Sequence, residues 1–431
     1  MIGRGSPHGS PMTDNEYDVV IVGAGAAGIA AAHAARDAGI RAIVLEAQDR
    51  VGGRAFTDHE SFSTPFDHGC QWLHSADINP LTPMAERLGF RFRREPIDFR
   101  IHDGDWWLNE SIVAEYHTAY DAFWERMQAE GNAGHDVAAE TCIDPASRWA
   151  KLFRQSFTPY ISAEPKNTSV FDIARDHNTG QNWPVESGMG GLIATLAHEV
   201  ERAVEIRLSC PVKSIDWGSD AVMVGTLDGM LFAKACLVTV STAVLTSDRL
   251  KFFPLLPDWK QQAIDNLPMG HAEKVGFEFA VDPFAGLTMH FALMDWPDGP
   301  DAAFNIHPFD RPMATLYSGG ALAQALGSEG PEAMIAHARG LLVRLFGSAI
   351  LKDVARVKAT GWTANPYIGG AYSVLKPGGG EARVALARPL AEKLFFAGEA
   401  TSANEFATAH GAWQSGIDAM KLILETPQLA R

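Results

Sequence analysis

The residues whose types and spacing best suit chemistry are Gly23, Gly25 and Gly28, in G-x-G-x-x-G order, with Glu46 eighteen positions after the last glycine. Such a set can hold a pyrophosphate. Gly23 permits a tight turn, Gly25 lets the backbone approach the phosphates, and Gly28 lets a helix lie close against a strand. The helix start then offers free N–H groups and a positive dipole end to the anion. A carboxylate at position 46 can accept both hydroxyls of an adenosine ribose. It would repel a 2′-phosphate, so NADP is disfavoured, and NAD and FAD remain. Gly52-Gly53-Arg54 favours FAD, because the glycines let a loop pass near the dinucleotide and the arginine neutralises phosphate.

The elements around these residues are ordered to position them. Tyr17 to Val22 is an apolar run of strand length, an Ala-rich helix runs to about Ala38 before Gly39 stops it, and Arg41 to Leu45 is a second strand ending on Glu46. A Gly-rich turn in an ordinary βαβ unit is the competing reading, and the ordered succession of strand, loop, helix, strand and acid argues against it. Further on, Pro80 to Leu88 predicts a helix, and residues 110–160 carry helical spacing with Tyr116, Tyr120, Phe123, Trp124 and Met127 as a core-like stripe. His135 to Thr141 reads as a loop or short helix, and the glycines at 188, 190 and 191 lead into another helix. Residues 205–240 look like β-hairpins, and Lys274 to Ala280 and Leu287 to Leu293 look like strands of a second sheet. Glu332 to Phe346 is an amphipathic helix. The chain ends as it began, with a strand at Leu394 to Glu399, a loop and a long helix from His410, which suggests a second helix N-terminus aimed at the cofactor.

Composition narrows the partners. The chain has 431 residues, 46% of them hydrophobic and 20% charged, enough for a large core and roughly two or three domains. A net charge of −16 disfavours nucleic acid and is compatible with a cationic substrate. Cys70, Cys142, Cys210 and Cys236 are widely spaced, which suggests neither disulfide framework nor metal site. No apolar window is long enough for a membrane span. Residues 1–15 are polar, lack a secretory apolar core and read as a disordered leader or a cloning remnant; a cytoplasmic location follows by default.

Taken together, these motifs resemble the flavin-containing amine oxidases, the family of monoamine oxidases, polyamine oxidases and lysine-specific histone demethylases. The likeness runs from Tyr17 to Ile423 through GAGAAG with Glu46, GGR at 52–54, GCQW at 69–72, Lys274, Trp362 with GGAYS at 369–373, and LFFAGEATS with HGA at 410–412. It implies an α/β chain with an α+β substrate part. A Rossmann-like FAD domain would be drawn from residues 16–85, 185–255 and 357–431, and a substrate domain of mixed sheet and helices from 86–184 and 256–356. It implies cofactor contacts at Gly23, Gly25, Ala26, Ala27, Gly28, Glu46, Arg54, Gln71, Trp72, Gly398 and Glu399. It also implies that the Val212 backbone holds adenine, and that the loop from Phe406 to Ala409, with Ala407 and Thr408, approaches the isoalloxazine ring beside Trp362.

The resemblance further implies that Lys274 holds a water against flavin N5, where a cation assists oxygen reduction. Spacing alone leaves Lys274 open to another reading, a solvated strand residue sharing a face with Gly276 and Glu278. Two departures matter. Ala371 stands where monoamine oxidases carry a cysteine, so FAD should be bound non-covalently. Tyr372 matches one of the two tyrosines that flank the amine, and Thr408 takes the place of the other, as in the demethylases. His74 matches a position facing the flavin in polyamine oxidases and can hydrogen-bond an amine or accept its proton. No arginine follows Gln71 before Arg87, which argues against α-amino acids.

The expected reaction is oxidation of a small-molecule amine, with a polyamine among the candidates, by hydride transfer to flavin N5, with O2 as electron acceptor, in a monomer or homodimer. The alternatives are another FAD-dependent oxidase or desaturase, or a non-catalytic flavoprotein scaffold. Phe66, Trp106, Trp107, Phe291, Trp296 and Phe304 are candidate walls of the substrate pocket, and Asp295, Asp298 and Asp301 are candidates to meet a distal ammonium.

Overall fold

The strand Glu16–Val22 is apolar and buried from Val19 onward because both of its faces are covered there. Val19 and Ile21 enter one core, under the helices Ala26–Ala38, Met189–Val200 and Ala409–Leu424. Tyr17, Val20 and Val22 enter another, with Ile264, Leu386 and Phe396. The structure, a computed structural model, describes residues 16–430, and the expectation for residues 1–15 lies outside them.

Glu16–Val22 pairs in parallel with Ala42–Leu45 on one side and with Gly229–Val238 on the other. The long strand Gly229–Val238 shares its outer edge. Its first half forms an antiparallel hairpin with Val222–Thr226, and Cys236–Val238 pairs in parallel with Leu394–Phe396. Ser214–Asp216 and Lys251–Phe253 extend the hairpin side of this eight-stranded sheet. The hairpin expectation for 205–240 fails at its start. Glu205–Arg207 pairs in parallel beyond Ala42–Leu45, and the chain after it bonds back through Ser209 and Cys210 N–H to the carbonyls of Gln48 and Glu46. That contact carries Val212 toward Glu46.

The small residues of the first helix have a packing reason. A Cβ on Gly416 would lie 2.0 Å from the Ala27 carbonyl, so the first and last helices cross at backbone distance. The first turn of the first helix is thereby held against the middle of the last.

A second sheet has six strands in the order Val354–Ala359, Ala272–Phe279, Met313–Gly319, Ala302–Ile306, His290–Met294, Asp98–His102. Val275, Phe304 and Leu316 turn to a core under the helix Pro331–Phe346. Lys274, Phe291 and Tyr317 turn the other way, toward Gly69, Trp72 and Gln71. The expected boundary at 357 cuts the strand Val354–Ala359, which belongs by pairing to this second sheet. The helices Glu110–Asn132, Ala150–Ile161 and Val170–Arg175 pack around Phe123, Phe153 and Phe157, so the aromatic stripe is core except at Trp124. No described helix is long and apolar enough to cross a membrane. All four cysteines are free, and no described group of His, Cys, Asp or Glu is arranged to hold a metal.

Candidate active site

The glycine loop is formed as its spacing demands. A Cβ on Gly28 would lie 1.9 Å from the Gly23 carbonyl, so the helix turns back onto the strand only with glycine there. Ala26–Ala38 has no side-chain cap and no acid in its first turn, and the N–H groups of Gly25, Ala27 and Gly28 have no partner among the described residues. Such unpaired donors await an acceptor. At Gly25 an added Cβ would meet nothing nearer than the Gly52 carbonyl at 4.0 Å, so the room there is not taken by protein. Glu46 is buried and accepts from Ala24 N–H at 2.7 Å and Gln48 N–H at 2.9 Å; these bonds aim the carboxylate and leave lone pairs for a ribose. The Val212 backbone N–H and C=O are likewise unpaired. Donors, acid and open backbone fit an adenine dinucleotide.

Arg54 joins this loop to the end of the chain. Its Nη1 donates to Glu399 Oε1 and to the Ala371 carbonyl, each at 2.8 Å. Glu399 is buried and also accepts from Ser373 N–H at 3.0 Å, Ser373 Oγ at 2.7 Å and Ala407 N–H at 3.2 Å. Burial alone would raise its carboxyl, but Arg54 and Arg383 with these hydrogen bonds hold it below the ordinary range. Glu399 opens a 3-10 turn after Gly398, whose N–H donates to Ser415 Oγ at 2.8 Å, and so it is not the last residue of a strand.

Lys274 is not a solvated strand residue. Every position from Glu273 to Phe279 is buried. Its Nζ donates to the carbonyls of Asp67 at 2.9 Å and Gly69 at 2.6 Å and lies 4.9 Å from the Tyr317 ring centroid. Burial pulls its pKa down to about 8 against the attraction of Asp67. Trp362 donates from Nε1 to the His68 carbonyl at 2.9 Å and is steadied by Glu273, a buried acid that accepts from the N–H groups of Trp362 and Thr363. Gln71 accepts from Tyr317 Oη, and Trp72 lies between the rings of His74 and Phe291 at 6.4 and 6.1 Å.

A cavity of about 760 Å³, part of it open to solvent, adjoins these residues. His74, His410, Tyr372 and Thr408 line it with Trp124 and Tyr160. His74 Nδ1 faces Asn182 Oδ1 at 2.7 Å, and Asn182 Nδ2 donates to the Gly180 carbonyl. The amide oxygen therefore accepts from Nδ1–H, which leaves Nε2 as the bare nitrogen. Burial lowers the pKa of His74, and burial followed by the neighbouring His74 lowers that of His410 to about 4. His410 also sits in the first turn of Ala409–Leu424, where the helix dipole opposes protonation. Both rings are neutral at physiological pH. Tyr372 Oη donates to the Tyr160 carbonyl, and burial raises its pKa. Thr408 caps the last helix, accepting from Gly411 N–H at 3.0 Å while donating to the Glu405 carbonyl at 2.7 Å. Its hydroxyl is thereby spent on the backbone. Ala407, at φ 60°, is held in the left-handed region by its bond to Glu399.

The aromatic wall differs from the expected one. Trp106 is 76% exposed, and Trp296 and Phe304 are core. Phe66 packs with Phe62 and Met313, and Trp107 and Phe291 lie among other rings outside the cavity wall. Tyr160 and His410 carried no separate signal. Nor do Asp295, Asp298 and Asp301 line the cavity; Asp298 pairs with Arg344 at 2.8 Å.

Known proteins align with this arrangement. A family model described as flavin containing amine oxidoreductase matches residues 113–424, and one described as NAD(P)-binding Rossmann-like domain matches residues 21–88. Polyamine oxidase 4 of Oryza sativa subsp. japonica is 28% identical over 93% of this chain and 87% of its own length. Lysine-specific histone demethylase 1B of Mus musculus is 27% identical over 95% of this chain, which spans only 53% of that protein. Among solved structures, cyclohexylamine oxidase from Brevibacterium oxydans shares the fold at a TM-score of 0.80 and 22% identity, covering 95% of this chain and 99% of its own.

Proposed function

We propose, from the premise that this chain belongs to the flavin-containing amine oxidoreductase family, that it binds FAD without a covalent tether and oxidises a primary or secondary amine in the cavity between His74 and Tyr372. The observation that carries this reading is the hydrogen-bonded path from Arg54 through Glu399 to Ser373, which ties the dinucleotide loop to the cavity wall. Position 371 offers a methyl group and no thiol for a tether. When bound, FAD supplies the hydride acceptor that converts the amine to an imine, and O2 as final acceptor yields H2O2. Water then hydrolyses the imine to an aldehyde or ketone and an amine.

The chain's own residues prepare the substrate. An amine arrives as an ammonium ion and must lose a proton before its α-hydrogen can leave as hydride. His74 Nε2 is a bare acceptor for that proton, kept neutral by burial and oriented by Asn182. Tyr372, Tyr160 and Trp124 present aromatic surface to the cationic nitrogen and exclude water around it. Lys274 keeps a third N–H beyond its two carbonyl bonds, with which to hold a water at the cofactor. Thr408 contributes backbone and a methyl to the wall.

The test is an anaerobic panel of amines read by flavin absorbance. At least one amine bleaches the flavin, and air restores the colour with release of H2O2. No bleaching by any amine sinks the reading, and flavin that stays with acid-precipitated protein sinks the untethered cofactor.

A further inference from the structure

Two carboxylates line the cavity, and only one is paired. Asp172 is buried and bound by Arg383, whose Nε and Nη2 approach it at 3.0 and 2.7 Å. The remaining donors of Arg383 go to Ser373 and the Ala400 carbonyl, so that cation has nothing left to give. Asp176, one turn later at the end of the helix Val170–Arg175, receives no hydrogen bond or ion pair on its carboxylate from any described residue. It is half-buried in the cavity wall that it shares with Tyr160, Tyr372 and Asn178. A carboxylate drawn out of water without a partner is costly unless a ligand brings the countercharge.

Ser75 Oγ donates to the His177 carbonyl at 2.9 Å, so the segments that carry His74 and Asp176 meet at the one cavity that both residues line. Burial, then Asp172, raises Asp176 to about 7, as befits an acid waiting for a cation.

We propose that Asp176 is a specificity-determining residue that pairs with a second cationic nitrogen of the substrate, so that the enzyme selects diamines or longer polyamines over monoamines. This rests on the amine-oxidase reading. One nitrogen is held for oxidation at His74 while the other reaches Asp176, and the aromatic wall covers the methylenes between them.

The experiment measures kcat/KM on the holoenzyme for a series of α,ω-diamines and for n-alkylamines of equal chain length. The wild type prefers the diamine at one or more lengths. Asp176→Asn lowers that diamine-to-monoamine ratio roughly tenfold to a hundredfold, the worth of a charge-assisted hydrogen bond. Asp176→Glu keeps the preference and moves the optimum to a shorter diamine. A wild type with no diamine preference overturns the proposal, as does a ratio unmoved in both variants. Flavin that no amine reduces overturns the amine-oxidase reading itself, whereas reduction by monoamines with the ratio unmoved overturns this proposal alone.

Discussion

From Tyr17 to Arg54 the chain prepares its ligand site with backbone: unpaired N–H groups, glycines that leave room, and one acid aimed by two amides. The cavity around His74 and Tyr372 is made of side chains instead, brought together from residues 74–75, 124, 160–178, 372–374 and 406–410. The first site tolerates little change in shape, because a Cβ at Gly28 or Gly52 would strike main chain at 1.9 or 2.2 Å. The second can change residue by residue without moving the backbone. Variants that break the two halves in different ways test this contrast.

The largest effect belongs to the backbone site. Gly28→Val puts side-chain atoms where a Cβ alone would lie 1.9 Å from the Gly23 carbonyl. The purified variant carries no FAD, seen as loss of 450 nm absorbance relative to 280 nm. A variant with full flavin content would show that the loop is looser than its packing implies.

Arg383→Met is next, and it tests the seam between the halves. Arg383 and Asp172 are 3% and 5% exposed, and removing the cation leaves a buried carboxylate uncompensated at a cost of about 3–5 kcal/mol. Thermal unfolding of the holoprotein reads the loss directly. Because Ser373 touches both Arg383 and Glu399, flavin affinity falls as well.

What could be read from the chain follows the same division. The glycine loop was legible because backbone binding imposes residue types at fixed spacing over one contiguous stretch. Lys274 lay beyond spacing alone, because its strand is buried on both faces and alternation then carries no information. The acids at 295–301 stood out in the sequence, yet they lie off the cavity, while Asp176, which lines it, sits at the end of a six-residue helix that gave no pattern. Glu205–Arg207 looked like half of a hairpin because a short edge strand carries no mark of its direction; its partner is set by the backbone contacts at Gln48 and Glu46.

Lys274 gives the third test, and it has a pH dependence. The ammonium is charged below about 8 and neutral above it. Reoxidation of the flavin by O2 is therefore flat on the acid side and slows as pH rises through 8. Lys274→Met slows it roughly a hundredfold or more below pH 8, by loss of a positioned cation, and the deficit relative to wild type shrinks as pH rises above 8. Lys274→Arg stays charged over the whole range and abolishes the alkaline limb. A limb that persists in the arginine variant belongs to another group.

The smallest effect separates position from chemistry at Thr408. This residue stands where a tyrosine would flank the amine in monoamine oxidases, yet its hydroxyl accepts from Gly411 N–H and donates to the Glu405 carbonyl. A group so engaged has no proton to spare for a substrate. Thr408→Val keeps a methyl at this position and removes the cap, which costs about 1 kcal/mol of stability. The melting temperature falls by a few degrees, and kcat/KM for the best amine changes by a factor of about three at most, since the wall keeps its shape. A tenfold or greater loss of kcat/KM at unchanged flavin content would mean that the hydroxyl leaves the cap when substrate binds, and would move Thr408 from the frame of the helix into the chemistry of the cavity.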